Sequence, residues 1–299
     1  MSQRTLVLKV TPAERTAIRQ RLGAEDFEFR TVPHALFSAR GGGVIATLYK
    51  SGKFVIQGAD PEVFVARYVE GGTPVAPKAK SAAKDSPLEA VPTETLIGSD
   101  ECGKGDFFGP LVVCAVRLDP EQAAKLDSSG VVDSKKLTDD RARQLGAALR
   151  KVLPYSIKRL DPPRYNEVYA KIKNVNLVLA DLHADAIREL AEPGMNVLID
   201  QFTRTDLFAA RLGDLKLNIE QRPRAEANLA VAAASIIARA EFLACMDELS
   251  SEAAVELRKG AGFPTDNAGV EYVRLHGFEA LVKVAKLHFK NTEKVRRKL

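Results

Sequence analysis

Residues 73–93, TPVAPKAKSAAKDSPLEAVPT, combine proline, alanine, serine and lysine with no apolar periodicity of the helical or the strand kind. Such a stretch cannot bury enough apolar surface to offset the entropy of ordering it, so it reads as a flexible linker. It cuts the 299-residue chain into two unequal parts, 1–72 and 94–299, each long enough to close a core of its own. With 45% hydrophobic and 28% charged residues, the chain falls outside the collagen-like, coiled-coil and wholly disordered classes. No run approaches the ~18 consecutive apolar residues of a membrane span. The start, MSQRTLVLKVTPAERTAIRQ, mixes charges among its apolar residues and has neither an apolar h-region nor a small-residue cleavage site, so no export is expected. Three cysteines, Cys102, Cys114 and Cys245, are an odd number without metal-ligand spacing, which suits reduced thiols in the cytoplasm.

In the first part, TLVLKV alternates as a strand and Pro12 to Leu22 reads as a helix. ATLYKSGKFVIQG reads as a hairpin turning at Ser51-Gly52, and Asp60 to Tyr68 as a second helix with Pro61 at its first position. This is a small α+β unit without a cluster of catalytic residue types. It suits a binding module, and a folding or dimerisation appendage is the other reading. In the second part, TLIGSD and LVVCAVRL are strands joined by a glycine-bearing loop from Cys102 to Pro110. Leu145 to Val152 reads as a helix, Tyr155 to Arg159 as a strand, Leu177 to Leu190 as an amphipathic helix, and NVLID as a strand ending in a carboxylate. Leu215 to Ile219 is a further expected strand, and Leu229 to Met246 a long Ala-rich helix. Strands interleaved with helices of this length imply a mixed α/β sheet with helices on its faces. The run AVAAAS has so little bulk that its helix can approach the sheet closely.

Charge is unevenly spread. The chain carries net +5, yet 283–299 alone carries +6, with seven basic side chains against Glu293, and 1–85 carries +5, leaving −6 for 86–282. An acidic centre between basic ends suits a metal site that acts on a charged backbone, while a solvated terminal helix accounts for the tail alone.

Four carboxylates stand out in that centre. Asp100 and Glu101 end the TLIGSD strand beside Gly103-Lys104-Gly105, where α/β folds place their sites. Successive strand residues point to opposite faces, so the two acids are expected to share a site only where the chain leaves regular β geometry, which the glycines allow. Asp200 ends NVLID, and Glu226 precedes the helix that begins near Leu229. Taken singly, Asp200 also reads as a turn or cap residue and Glu226 as a first-turn acid interacting with the helix dipole. Taken together, they offer the oxygen ligands that Mg²⁺ and Mn²⁺ prefer, and a pair of such ions can clamp the attacking and leaving oxygens of a phosphoryl displacement. The spacing G-K-G-D-F-F-G matches neither the dinucleotide fingerprint nor the phosphate loop of nucleotide hydrolases. The histidines His34, His183, His276 and His288 lack i, i+4 spacing, so no zinc site is expected, and Cys102 has no evident base to activate it.

The segments IGSDECGKGDFFGPLVVCAV, DSKKLTD, LID, RAEANLAVAAASIIAR and VAKLHFKNT, in this order, resemble ribonuclease H of the type 2 superfamily, and within it ribonuclease HIII. The likeness spans about residues 94–299. The amino-terminal part is similar to the domain resembling TATA-box-binding protein that ribonuclease HIII carries. The resemblance implies a ribonuclease H-like mixed sheet flanked by helices, with a basic C-terminal helix, preceded by a small α+β domain that grips substrate. It implies an endoribonuclease that cuts the RNA strand of RNA–DNA hybrids with two divalent ions, Mg²⁺ or Mn²⁺, leaving 3′-hydroxyl and 5′-phosphate ends, and with no obligate protein partner. Asp100, Glu101 and Asp200 fall on three of the metal-binding carboxylates, and Glu226 on the fourth, where many relatives have Asp. Gly103, Lys104 and Gly105 fall on the loop whose backbone contacts ribose 2′-hydroxyls, the groups that distinguish RNA from DNA. Ser134, Lys135 and Lys136 fall on a segment suited to phosphate contacts, a solvated loop being the other reading.

Two positions depart from the type 3 pattern or bear on it. Lys104 is similar to the Arg of type 2 enzymes at the middle of the glycine triplet. Phe263 stands where type 2 enzymes tend to have a tyrosine that recognises a single ribonucleotide, and a phenyl ring cannot donate that hydrogen bond. Stretches of ribonucleotides are therefore the expected substrate. Cleavage at single embedded ribonucleotides and non-catalytic binding of hybrids are the alternatives.

Overall fold

Alternation of covered and open positions organises the strands nearest the amino terminus, and continuous burial those of the longer part. The computed structural model describes residues 4–25, 27–41, 44–58, 61–69, 91–127, 137–203 and 205–299. It divides into two compact units, Met1–Asp85 and Ser86–Leu299. Of the expected linker, 73–90 lies outside the described residues, as do Ser134, Lys135 and Lys136. Val91, assigned to the linker from sequence, packs against the core of the second unit.

The first unit runs β1 (Arg4–Lys9), α1 (Pro12–Gly23), β2 (Glu28–Arg30), β3 (Ala35–Gly41), β4 (Val44–Tyr49), β5 (Lys53–Gly58) and α2 (Pro61–Tyr68). The strands form one antiparallel sheet in the order β1-β5-β4-β3-β2. Thr11 caps α1 with Glu14 answering it, and Pro12 stands where no N–H is required. One set of alternate residues, among them Leu8, Phe54, Ile56, Leu48 and Phe37, packs against Ile18, Leu22 and Phe64 of the helices. The opposite set carries Val7, Val55, Thr47 and Ser38 in one cross-strand row and Gln57, Ile45 and Arg40 in the next. Among the described residues, no helix of this unit packs over the second set.

The second unit contains β6 (Leu96–Cys102), β7 (Leu111–Leu118), α3 (Pro120–Asp127), α4 (Asp139–Val152), β8 (Tyr155–Leu160), α5 (Pro162–Ile172), α6 (Val175–Arg188), β9 (Asn196–Asp200), α7 (Ala209–Leu212), β10 (Asn218–Arg222), α8 (Leu229–Ala253), α9 (Phe263–His276) and α10 (Lys290–Arg297). Its sheet has the order β10-β9-β6-β7-β8, with β7 antiparallel to both neighbours and β9 and β10 parallel to β6. Along β7, Val112, Cys114, Val116 and Leu118 face the core built on α8, while Leu111, Val113 and Ala115 face the core built on α6. Burial on both faces is why this strand reads as an unbroken apolar run. The Ala-rich α8 does approach the sheet closely. A Cβ on Gly98 would lie 2.3 Å from the Ala230 carbonyl carbon and the Val231 nitrogen, so only glycine fits there. By length and composition α8 could cross a membrane, but 78% of its most apolar stretch is buried inside this unit.

Two expectations need correction. The strand expected at Leu215 to Ile219 begins instead at Asn218, because Gly213–Leu215 coil into a 3₁₀ turn and Lys216 takes a left-handed conformation. The helix expected from Leu145 begins at Asp139, where the Thr138 hydroxyl caps it.

Candidate active site

Strand β6 holds the first two carboxylates, and it does not break as expected. Its pairing with β7 runs without a bulge through Asp100↔Cys114, Glu101↔Val113 and Cys102↔Val112. Regular alternation therefore persists. Ile97, Ser99 and Glu101 face α6, whereas Gly98 and Asp100 face α8. What ends is the other neighbour, since pairing with β9 stops at Ser99↔Ile199. Past Asp200, the last residue of β9, that flank of β6 has no strand beside it among the described residues, and side chains from both faces can turn toward the gap.

The same register brings Asp200 to the site. Leu96↔Asn196 through Ser99↔Ile199 sets Asp100 level with Asp200 at the ends of adjacent parallel strands. One Asp200 carboxylate oxygen accepts the Ala225 N–H at 2.9 Å, so Asp200 also holds the 3₁₀ turn Ala225–Ala227 that carries Glu226. That turn is entered through Arg224 in the left-handed region, φ 62°, a conformation that costs energy for a residue with a Cβ. Asn228, not Glu226, caps α8, so Glu226 stands outside the helix and not in its first turn.

Electrostatics tie these acids together. The Asp100 residue keeps some contact with solvent, but its carboxylate lies deep among protein groups. Burial first, and then the charges of Glu101 and Asp200, push it up to about 8, against hydrogen bonds from Ser235 and the Glu101 N–H. Burial acts on Glu101 as well, yet His183 and Lys104 outweigh it and hold that carboxyl below its usual range. The Glu101 side chain is 12% exposed, with Oε1 3.5 Å from Lys104 Nζ and Oε2 3.5 Å from His183 Nε2. Among the described residues, no three His, Cys, Asp or Glu side chains converge closely enough to hold a metal ion in this conformation. The donor set still fits a hard divalent cation, because it consists of carboxylate oxygens so placed that the charges of Glu101 and Asp200 raise the proton affinity of Asp100, a repulsion that a cation relieves.

The glycine loop lies directly after these acids. Gly103 has φ 89°, and a Cβ there would meet the Pro110 carbonyl oxygen at 2.2 Å, whereas a Cβ on Gly105 would meet nothing within 4 Å. Lys104 reaches back to Glu101 and lies 5.3 Å from the centre of the Phe202 ring. The far half of the loop is held by Lys286, which is fully buried and donates to the carbonyl oxygens of Phe108, Gly109 and Pro110 at 3.3, 2.6 and 3.3 Å. Burial pushes this ammonium down to about 7, opposed by Asp106 and Cys102. Cys102 itself is pushed up to about 12 by burial, which leaves it a poor nucleophile.

Lys286 and His183 were not singled out for the site from sequence. Lys286 had a signal, a lysine inside the otherwise apolar VAKLHF. His183 had none, since its partner Glu101 is 82 positions away.

Comparison with known proteins places this geometry. The family model described as ribonuclease HII matches residues 97–292, and one described as a domain of unknown function matches residues 5–82. Ribonuclease HIII of Protochlamydia amoebophila is 39% identical over 89% of this chain and 88% of that protein. Ribonuclease HIII of Exiguobacterium sibiricum is 37% identical over 97% and 96%. Among solved structures, Bst-RNase HIII in complex with Mn²⁺ superposes with a TM-score of 0.64 at 32% identity, covering 99% of each chain. Ribonuclease H2 from Pyrococcus horikoshii OT3, 22% identical, shares the fold with a TM-score of 0.59 over 68% of this chain and 98% of that one. Register, glycine loop and relatives agree: the chain belongs to the ribonuclease HII family, on its ribonuclease HIII branch.

Proposed function

We propose that this metal-dependent endoribonuclease hydrolyses the RNA strand of RNA–DNA hybrids at the open end of β6, with Asp100, Glu101, Asp200 and Glu226 holding Mg²⁺ or Mn²⁺. The observation that carries this reading is the β6–β9 register, which sets Asp100 beside Asp200 with Glu101 on the same strand end. The ions, when bound, supply an activated water and a counter-charge for the phosphate. The chain's own residues do the rest. Asp100 and Asp200, forced together at the strand ends, present oxygens that a dication relieves of mutual repulsion. Gly103, at positive φ, turns the loop, exposed Gly105 leaves its backbone open to ribose 2′-hydroxyls, and Lys104 offers its ammonium to an adjacent phosphate once it leaves Glu101. Ser134, Lys135 and Lys136 would add phosphate contacts.

The open sheet face of the first unit, with Arg40, Lys53 and Gln57 exposed, suits a grip on the hybrid backbone, and the basic α10 adds salt-dependent affinity. Phe263, 67% exposed, can stack but cannot donate a hydrogen bond, which favours runs of ribonucleotides. The free thiols Cys102, Cys114 and Cys245 suit the cytoplasm. Cleavage of a labelled hybrid by the protein and by Asp100→Asn, with Mg²⁺ or Mn²⁺ added, tests the assignment. Equal rates would end it. Faster cutting of a duplex with one embedded ribonucleotide would shift the substrate to the type 2 class.

A further inference from the structure

His183 is in contact with one of the four acids, and neither metal binding nor substrate contact accounts for it. It sits on α6 with its side chain fully buried. Its ring stacks on Phe202 at 5.1 Å and 12° and meets the edge of Phe208 at 6.4 Å, so it cannot swing. Nδ1 lies 2.7 Å from the hydroxyl of Ser99, itself fully buried on β6 and 3.0 Å from the Cys114 carbonyl oxygen. Nε2 lies 3.5 Å from Glu101 Oε2, and both atoms are buried with no other hydrogen-bond partner among the described residues. A carboxylate oxygen accepts only a nitrogen that carries hydrogen. A neutral ring that turns Nε2–H to Glu101 leaves Nδ1 as an acceptor, and Ser99 can donate to it by turning its single hydroxyl hydrogen from the Cys114 carbonyl oxygen to this shorter contact. The serine is no nucleophile, because nothing from solvent reaches it.

We infer that His183, held by Ser99, is a positioning residue that aims the Glu101 carboxylate, leaving the oxygen now facing Lys104 for a divalent ion. This rests on the reading of Glu101 as a metal ligand. The spacing of 3.5 Å is long for a hydrogen bond and is expected to tighten as the ion draws on Glu101. The alternation of β6 explains the arrangement, since Ser99 and Glu101 share one face and bracket the ring two residues apart, while Asp100 faces α8 and Ser235. Lys104, the other contact of Glu101, is one-third exposed and has a flexible stem, so only the histidine can fix a direction.

Mn²⁺ titration of the substrate-free protein by calorimetry tests this, with His183→Ala, His183→Gln, Ser99→Ala and Glu101→Gln compared with the parent and melting in EDTA recorded for each. His183→Ala should weaken Mn²⁺ binding roughly 10- to 100-fold, and His183→Gln, which keeps a donor near the same place, should recover most of it. Ser99→Ala should weaken it several-fold with little change in melting. Parental Mn²⁺ affinity in His183→Ala or, should that variant fail to fold, in Ser99→Ala overturns the inference while Glu101→Gln still weakens binding. Unchanged affinity in Glu101→Gln removes the ligand assignment and this inference with it.

Discussion

The two five-stranded sheets meet solvent in opposite ways. The sheet β1-β5-β4-β3-β2 has helices on one face, so its other face is a broad surface of alternating side chains. The sheet β10-β9-β6-β7-β8 is covered on both faces along its central strands and meets solvent at its edge strands, its strand ends and its loops. A face offers area, repeated polar groups and salt-dependent contact. A strand end offers convergence, because loops there are free and neighbouring strands stop at different points. The proposed division, binding by the first unit and chemistry by the second, matches where each sheet meets solvent.

The comparison breaks first at the strand end. Asp100→Asn should lower hybrid cleavage at least about 1000-fold, about 4 kcal/mol of barrier, with the fold unchanged by circular dichroism. Gly98→Ala probes the covered sheet from the other side. Its Cβ would enter the α8 backbone, which cannot yield as a side chain can, so a loss of about 3 kcal/mol and roughly 6–12 °C in melting temperature is expected.

A third test uses pH. Asp100 is raised in the folded protein to about 8 from a carboxylate's ordinary 3.8, so between those values the folded state holds a proton that the unfolded state has lost. Its contribution to stability is therefore full below about pH 4 and is lost as pH rises through about 8. The metal-free protein should melt progressively lower from pH 5 to pH 8, Asp100→Asn should flatten that trend, and Mn²⁺ should offset it most at high pH. The smallest expected effect lies on the open face. Arg40→Ala with Lys53→Ala should weaken hybrid binding roughly tenfold and lower the log–log salt slope by about 2, with cleavage of bound substrate unaffected. An unchanged slope would move the grip away from this face.

Much of this was legible from residue order. β7 was readable because burial on both faces leaves its run LVVCAV without a polar interruption, and the hairpin at Ser51-Gly52 because glycine tolerates the positive φ of 85° found there. The approach of α8 was readable from the small side chains of AVAAAS. The break expected after Asp100 was misplaced, because the glycines begin at Gly103 and bend the chain only after β6 has ended. The shift of β10 to Asn218 was hidden in Lys216, a residue type that gives no notice of a left-handed turn.

Residue order alone settles the acids, the glycines and the alternation that sends Asp100 and Glu101 to opposite faces, for these depend on residue type and on a period of two. Tertiary packing alone ends the β6–β9 pairing one residue before Asp100, ties Lys286 to the glycine loop and sets His183 against Glu101. Contacts between residues some 80 to 180 positions apart are set by strand register and helix packing, and neither is written in local periodicity.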